Sequence, residues 1–100
     1  MSEERSRRAT DSDGRVIVFT ERSWRHIMAA RPELHDQVAV ILEAIAKPDL
    51  RELDPLPGRE RFYRRRVTDR VRWMRVVVDF TDDPAVIVTA FVQRRNPAGS

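Results

Sequence analysis

"ERFYRRRVTDRVRWMRVVVDFTDDPAVIVTAFVQR", Glu60 to Arg94, decides how this chain folds. It divides into three runs, ERFYRRRV, VRWMRVVVDF and AVIVTAFVQR, rich in β-branched and aromatic residues and separated by TDR and TDDP. Such runs read as strands, and connections this short join antiparallel neighbours, so the C-terminal half is a meander. In the middle run Met74, Val76, Val78 and Phe80 alternate with Trp73, Arg75, Val77 and Asp79. The first set is apolar throughout and belongs beneath helices, which leaves Trp73 and Arg75 on the open face.

The partner strand admits two registers. A two-residue turn at Asp69 and Arg70 sets Arg64 opposite Arg75 and Arg66 opposite Trp73. A three-residue turn brings Tyr63 and Arg65 to that face instead, because a slip of one residue exchanges the two sides of a strand. Either register puts arginine and an aromatic on the open side. Like charges opposed across a sheet repel, and an anion bound between them relieves the repulsion.

Upstream, residues 1–13 mix charges with Ser and Thr without periodicity and read as a disordered or weakly ordered arm; 97–100 reads as a tail, and 14–96 as a single domain. RVIVFT is a short strand. Thr20 stands at a helix N-cap position with Glu21 in the first turn, where a carboxylate suits the helix dipole. That helix runs to about Ala30, with Trp24, Ile27 and Met28 on one face. Pro32 opens a second helix, to about Ala46, whose stripe is Leu34, Val38, Ile41, Leu42 and Ile45. Pro48 ends it, and LREL and the loop DPLPGR follow. The expectation is an α+β domain of order β-α-α-β-β-β-β, with two N-terminal helices packed on one face of a mostly antiparallel four- to five-stranded sheet.

Composition narrows the chemistry. The chain has 100 residues, 41% of them hydrophobic, which suits one folded domain. It has no cysteine and two histidines, so neither a disulfide framework nor a metal site is expected. No glycine-rich phosphate loop is present, and no cofactor is expected. No apolar run approaches the roughly 20 residues that span a bilayer. The start, MSEERSRRATDSDG, lacks an apolar signal core, so the expected location is cytoplasmic, away from the membrane. The net charge of +3 conceals a focus. Eight arginines fall between Arg59 and Arg75 against Glu60 and Asp69, and every basic residue of the chain except Lys47 is arginine. Guanidinium forks bind phosphate and stack on bases.

The chain resembles the barnase/EndoU/colicin/RelE-type nuclease superfamily, particularly its small phage and toxin-like branches. The residues that carry the resemblance are His26 on the first helix, Pro48-Asp49 after the second, Phe62-Tyr63-Arg64, Val76-Val77-Val78 and Thr89-Ala90-Phe91, within residues 16 to 95. It implies a metal-independent ribonuclease, often the toxin of a toxin-antitoxin pair, with His26, Tyr63 or Arg64, and Thr89 in the active site. Arg31-Pro32-Glu33 departs from the pattern, which has a second histidine before the proline, and no lysine lies in the strands.

His26 is the leading acid/base candidate, since imidazole alone titrates near ~6.5 unperturbed. It flanks the buried stripe; the alternative is a histidine satisfied at the core boundary, and His35 reads as solvated. Arg64 is the first choice for the scissile phosphate, followed by Arg66 and Arg75, with Arg65 on the same run. Trp73 and Phe91 are candidate base-stacking platforms. Tyr63 orients a phosphate, or acts as an acid if its pKa falls well below ~10. Thr89 offers a hydroxyl within an apolar run. The expected partners are RNA and an acidic antitoxin or immunity protein over the same face. The alternatives are a non-catalytic nucleic-acid-binding module of the same fold and a face that binds only protein.

Overall fold

In the computed structural model, which describes residues 7–67 and 70–99, six strands form one mixed sheet, in the order β1-β2-β6-β5-β4-β3. The strands are β1 (Arg7–Thr10), β2 (Val16–Phe19), β3 (Leu50–Leu53), β4 (Arg59–Val67), β5 (Val71–Asp79) and β6 (Ala85–Gln93). The helices are α1 (Glu21–Ala30) and α2 (Val38–Ala46), with a single 3₁₀ turn at Pro32–Leu34 between them. None of these helices is long and apolar enough to cross a membrane.

This corrects the expected layout of four to five mostly antiparallel strands in three respects. Part of the N-terminal arm is a strand: Arg7–Thr10 pairs antiparallel with β2, placing Ala9 opposite Ile17. β2 then pairs parallel with β6, through Ile17 with Ala85 and Val18 with Val86. The second helix starts at Val38 and not at Pro32, because the chain first makes the 3₁₀ turn that buries Leu34. The C-terminal meander has the expected strands, β4, β5 and β6 being antiparallel neighbours.

The core side chains alternate along β2 and β5, and a bulge in β6 brings Ile87 and Ala90 to the same face. Ile17 and Phe19 of β2, Phe62 of β4, Met74, Val76 and Val78 of β5, and Ala85, Ile87 and Ala90 of β6 form the core with Ile27, Leu34, Ile41, Ala44 and Ile45. α2 packs against β1, β4 and β5, and α1 lies along β6. The Thr20 N-cap accepts from Ser23 N at 3.1 Å, and the Ser23 hydroxyl donates to Ile87 O at 2.5 Å. That bond uses a β6 carbonyl beyond the two residues paired with β2, and so fastens α1 to an otherwise bare sheet edge.

A second fastening joins the β1–β2 turn to β3 and β4. Arg15 donates through Nε to Asp11 Oδ2 at 2.7 Å and through Nη1 and Nη2 to Glu60 at 2.9 and 3.0 Å. Arg51 bridges Glu60 and Asp13, each at 3.1 Å. The Arg15 guanidinium also lies 3.9 Å over the Phe80 ring. β1 and β3 are opposite edges of the sheet, so these bonds hold its two sides around α2.

Candidate functional site

The register of β4 on β5 determines which arginines face outward. Tyr63 pairs with Arg75 and Arg65 with Trp73, the alignment that a three-residue connection produces; Asp69, half of the alternative two-residue turn, lies outside the described residues. β6 continues each row, with Phe91 opposite Arg75, Gln93 opposite Trp73 and Thr89 opposite Val77. β3 adds Leu50 beside Tyr63 and Glu52 beside Arg61. The face away from α2 therefore carries the rows Arg59-Asp79-Val86, Glu52-Arg61-Val77-Thr89, Leu50-Tyr63-Arg75-Phe91 and Arg65-Trp73-Gln93.

Arg75 is at the centre of this grid. Its guanidinium carbon is 5.0 Å from the Phe91 ring centroid and 5.9 Å from that of Tyr63. Its diagonal neighbours are Arg61 and Arg65 on one side and Thr89 and Gln93 on the other, each about 7–8 Å away by sheet geometry. Arg31, at the C-terminal end of α1, reaches the same platform, 5.5 Å from the Phe91 centroid. Most arginines of the neighbouring strands are neutralised: Arg59 by Asp79, Arg61 by Glu52 and Asp54, Arg64 by Glu43. Arg75 forms no ion pair among the described residues, and its Nε is buried without a hydrogen-bond partner among them. A part-exposed guanidinium between two aromatic rings, with no carboxylate beside it among the described residues, leaves positive charge uncompensated on this face.

The register also moves two expected site residues off this face. Arg64 and Arg66 turn towards the helices. Arg64 Nη1 donates to Lys47 O at 2.7 Å, satisfying a carbonyl at the C-terminus of α2, and Arg66 Nη1 donates to Gln37 Oε1 at 2.7 Å near its start. The structure thus places Arg64, expected to hold the scissile phosphate, on the helix side of the sheet and away from Arg75, where it braces a helix.

Tyr63 points to the face away from α2 but is covered there, only 1% exposed, and its chemistry differs from a lowered-pKa acid. Burial, reinforced by the Glu52 carboxylate, pushes its phenol up, against the pull of the nearby Arg75 charge. It stays protonated and donates to Glu52 Oε2 at 2.6 Å. Arg61 Nη1 donates to the same oxygen at 3.3 Å, leaving Oε1 of Glu52 with no hydrogen bond among the described residues. Arg61 is in turn held by Asp54, whose oxygen accepts from its Nε at 2.7 Å. The backbone amide of Leu56 and then the Arg61 side chain hold the Asp54 carboxyl below its ordinary value.

His26 is exposed on α1. It points about 160° around the helix from Trp24, which packs edge-on against Phe19 at 5.8 Å in the helix layer. Among the described residues no hydrogen bond joins His26 to the grid. His35 is exposed, as its solvated reading requires. Thr89 and Phe91 are half-buried beside Arg75, Trp73 is half-buried, and Arg65 is exposed. Among the described residues no three His, Cys, Asp or Glu side chains gather as a metal site would need.

Glu52, Arg61, Gln93 and Arg31 complete the site and were not candidates from the sequence. Gln93 follows Thr89 and Phe91 by simple alternation and was within reach of the pattern. Glu52 becomes part of the site only through the pairing of β3 with β4, which no local signal announces. No family model, curated protein or solved structure matches this chain.

Proposed function

We propose that the open sheet face binds single-stranded RNA and cleaves it as a metal-independent endoribonuclease of the barnase/RelE type. One observation carries the reading: Arg75 sits between Tyr63 and Phe91 with no carboxylate partner among the described residues. A phosphodiester at the exposed part of the guanidinium supplies the missing counter-charge, while bases stack on the part-exposed Phe91 and Trp73. Cleavage requires a base to take the 2′-hydroxyl proton, attack of that oxygen on phosphorus, cation to stabilise the pentacoordinate state, and an acid to protonate the departing 5′-oxygen. Arg75 takes the electrostatic role. Glu52, fixed by Tyr63 and Arg61 with one oxygen to spare, takes the base role. His26, on the helix whose end reaches Phe91, takes the acid role. In a toxin of this kind, an acidic partner protein covering the arginines is the expected inhibitor.

A second reading has its own support. Two donors already engage Glu52, and His26 has no hydrogen-bond link to the grid, which suits an RNA-binding module without catalysis. Labelled RNA incubated with the purified protein in EDTA separates the two. Cleavage leaving 2′,3′-cyclic ends, lost in Arg75→Met, Glu52→Gln and His26→Ala, supports the nuclease. Binding without cleavage, even with ribosomes added, supports the module, and absence of binding refutes both.

A further inference from the structure

Where β1 begins and β2 ends, the strands and the two helices bound a cavity of about 210 Å³, lined by Arg7, Phe19, Trp24, His35 and Val38. It lies on the helix side of the sheet, away from Arg75. We propose that it is a binding site for a small aromatic carboxylate, which enters ring first and leaves its carboxylate at Arg7 and His35.

The walls follow from the local structure. Arg7 pairs with Phe19 across β1 and β2, as Ala9 does with Ile17, so Arg7 shares the side of the sheet on which those three residues are buried. Trp24, in the first turn of α1, meets the Phe19 ring edge-on, with centroids 5.8 Å apart and planes at 60°. Val38 is the first residue of α2. The 3₁₀ turn before it sets His35 at the same corner, with the His35 backbone N–H donating to Pro32 O at 3.2 Å. Exposure is graded across the five: Phe19 is buried at 2%, Trp24 and Val38 are half-buried, and Arg7 and His35 are exposed. An apolar floor beneath a rim of guanidinium and imidazole calls for a ligand with an apolar end and an anionic head.

Size and charge narrow the class. An apolar cavity of about 150 Å³ holds benzene, so one aromatic ring fills most of this one. The remainder, roughly 60 Å³, equals the share of about two water molecules and suits a carboxylate. A drug-sized or nucleotide ligand needs a larger cavity. A ring entering beside Phe19 and Trp24 extends the edge-to-face packing these two already make. At the rim, a guanidinium matches a carboxylate with two parallel N–H bonds. The His35 side chain has no hydrogen bond or ion pair among the described residues, and its imidazole offers an N–H even when neutral. Asp36, the carboxylate next to it in sequence, accepts from Gln37 Nε2 at 3.2 Å. None of the five lining residues belongs to the open sheet face, so this site stands whether or not that face binds RNA.

Phenylacetate is the probe, titrated into the whole chain carrying Trp73→Phe, in which Trp24 is the sole tryptophan. A saturable change in Trp24 emission is expected, half-complete at about 1 mM or below. Acetate should give none, and 2-phenylethanol, the same ring with a neutral head, should bind about tenfold more weakly. Arg7→Gln, an exposed change at a strand end, should bring phenylacetate down to the level of 2-phenylethanol. Val38→Phe fills the cavity and should abolish binding of both, with near-UV circular dichroism confirming that the variant is folded; if it is not, Arg7→Gln carries the test. The tripeptide Gly-Gly-Phe presents the same ring and carboxylate on a peptide. Weaker binding than phenylacetate supports a free acid as the ligand, and tighter binding overturns it in favour of a polypeptide C-terminus. An emission that does not saturate, equal affinity for phenylacetate and 2-phenylethanol, or unchanged binding by folded Val38→Phe also overturns the proposal.

Discussion

Replacing Arg75 with methionine separates the two things an arginine at the centre of a sheet face does. In the folded protein its Nε is buried without a partner among the described residues, which costs about 1–3 kcal/mol. Its guanidinium recovers about 0.5–1 kcal/mol from each of the two aromatic faces beside it, Phe91 at 5.0 Å and Tyr63 at 5.9 Å. Methionine fills a similar space, makes favourable sulfur contacts with both rings and leaves no donor unsatisfied. The balance gives a variant more stable than wild type by roughly 0.5 kcal/mol, taking the middle of each range. Against RNA the sign reverses, because a charge-assisted hydrogen bond to phosphate contributes about 1.5–3 kcal/mol, or roughly ten- to a hundredfold in affinity. Urea unfolding and equilibrium RNA binding on the same preparations read both quantities. A variant that loses 2 kcal/mol or more of stability while binding RNA as wild type does would refute the reasoning, since Arg75 would then be a structural residue.

The other predictions concern how the scaffold holds that face. The hydrogen bond from Arg15, followed against burial by the one from Arg51, keeps Glu60 below its ordinary value; Asp11 is likewise lowered, its burial being outweighed by bonds from Arg15. Both pKa values are lower in the folded state, so the stability they contribute is present above about pH 5 and lost as pH falls through the lowered values. Glu60→Gln is expected to cost about 1–2 kcal/mol at neutral pH and to flatten the acid limb of a stability-against-pH curve; an unchanged curve would contradict the network's role. Gly58 has φ +82°, and a Cβ there would come within 2.8 Å of Thr81 Oγ1, so Gly58→Ala should lower stability by about 1–3 kcal/mol in thermal unfolding. Ser23→Ala leaves Ile87 O without its donor and should cost about 1–2 kcal/mol, with hydrogen exchange of α1 amides accelerated before that of β5.

The parts of this fold that could be read in advance are those set by local pattern. The three C-terminal strands follow from alternation and short turns, and α1 from Thr20, whose capping bond forms as expected. β1 could not be read because RRAT has almost no apolar content; it is a strand only because β2 offers an edge and α2 covers Ala9. The parallel pairing of β2 with β6 joins residues far apart in sequence and leaves no local trace. Within the site, Trp73 and Arg75 were placed by alternation in β5. The choice between Arg64 and its neighbours depended on the length of one turn, which turns every β4 side chain over at once. Phe62-Tyr63-Arg64 thus splits, Tyr63 to the open face and Phe62 and Arg64 to the helix side.

The most direct test of the central claim is to follow the side-chain Nε–H signals of the arginines by NMR while single-stranded RNA is titrated in. If the open face binds phosphate, Arg75 Nε–H, unpartnered in the free protein, should show the largest displacement, with Arg65 next. Arg64 and Arg66, already held by Lys47 O and Gln37 Oε1 on the helix side, should stay in place. Displacement of Arg64 and Arg66 with Arg75 unmoved would contradict the account and put any RNA on the opposite side of the sheet.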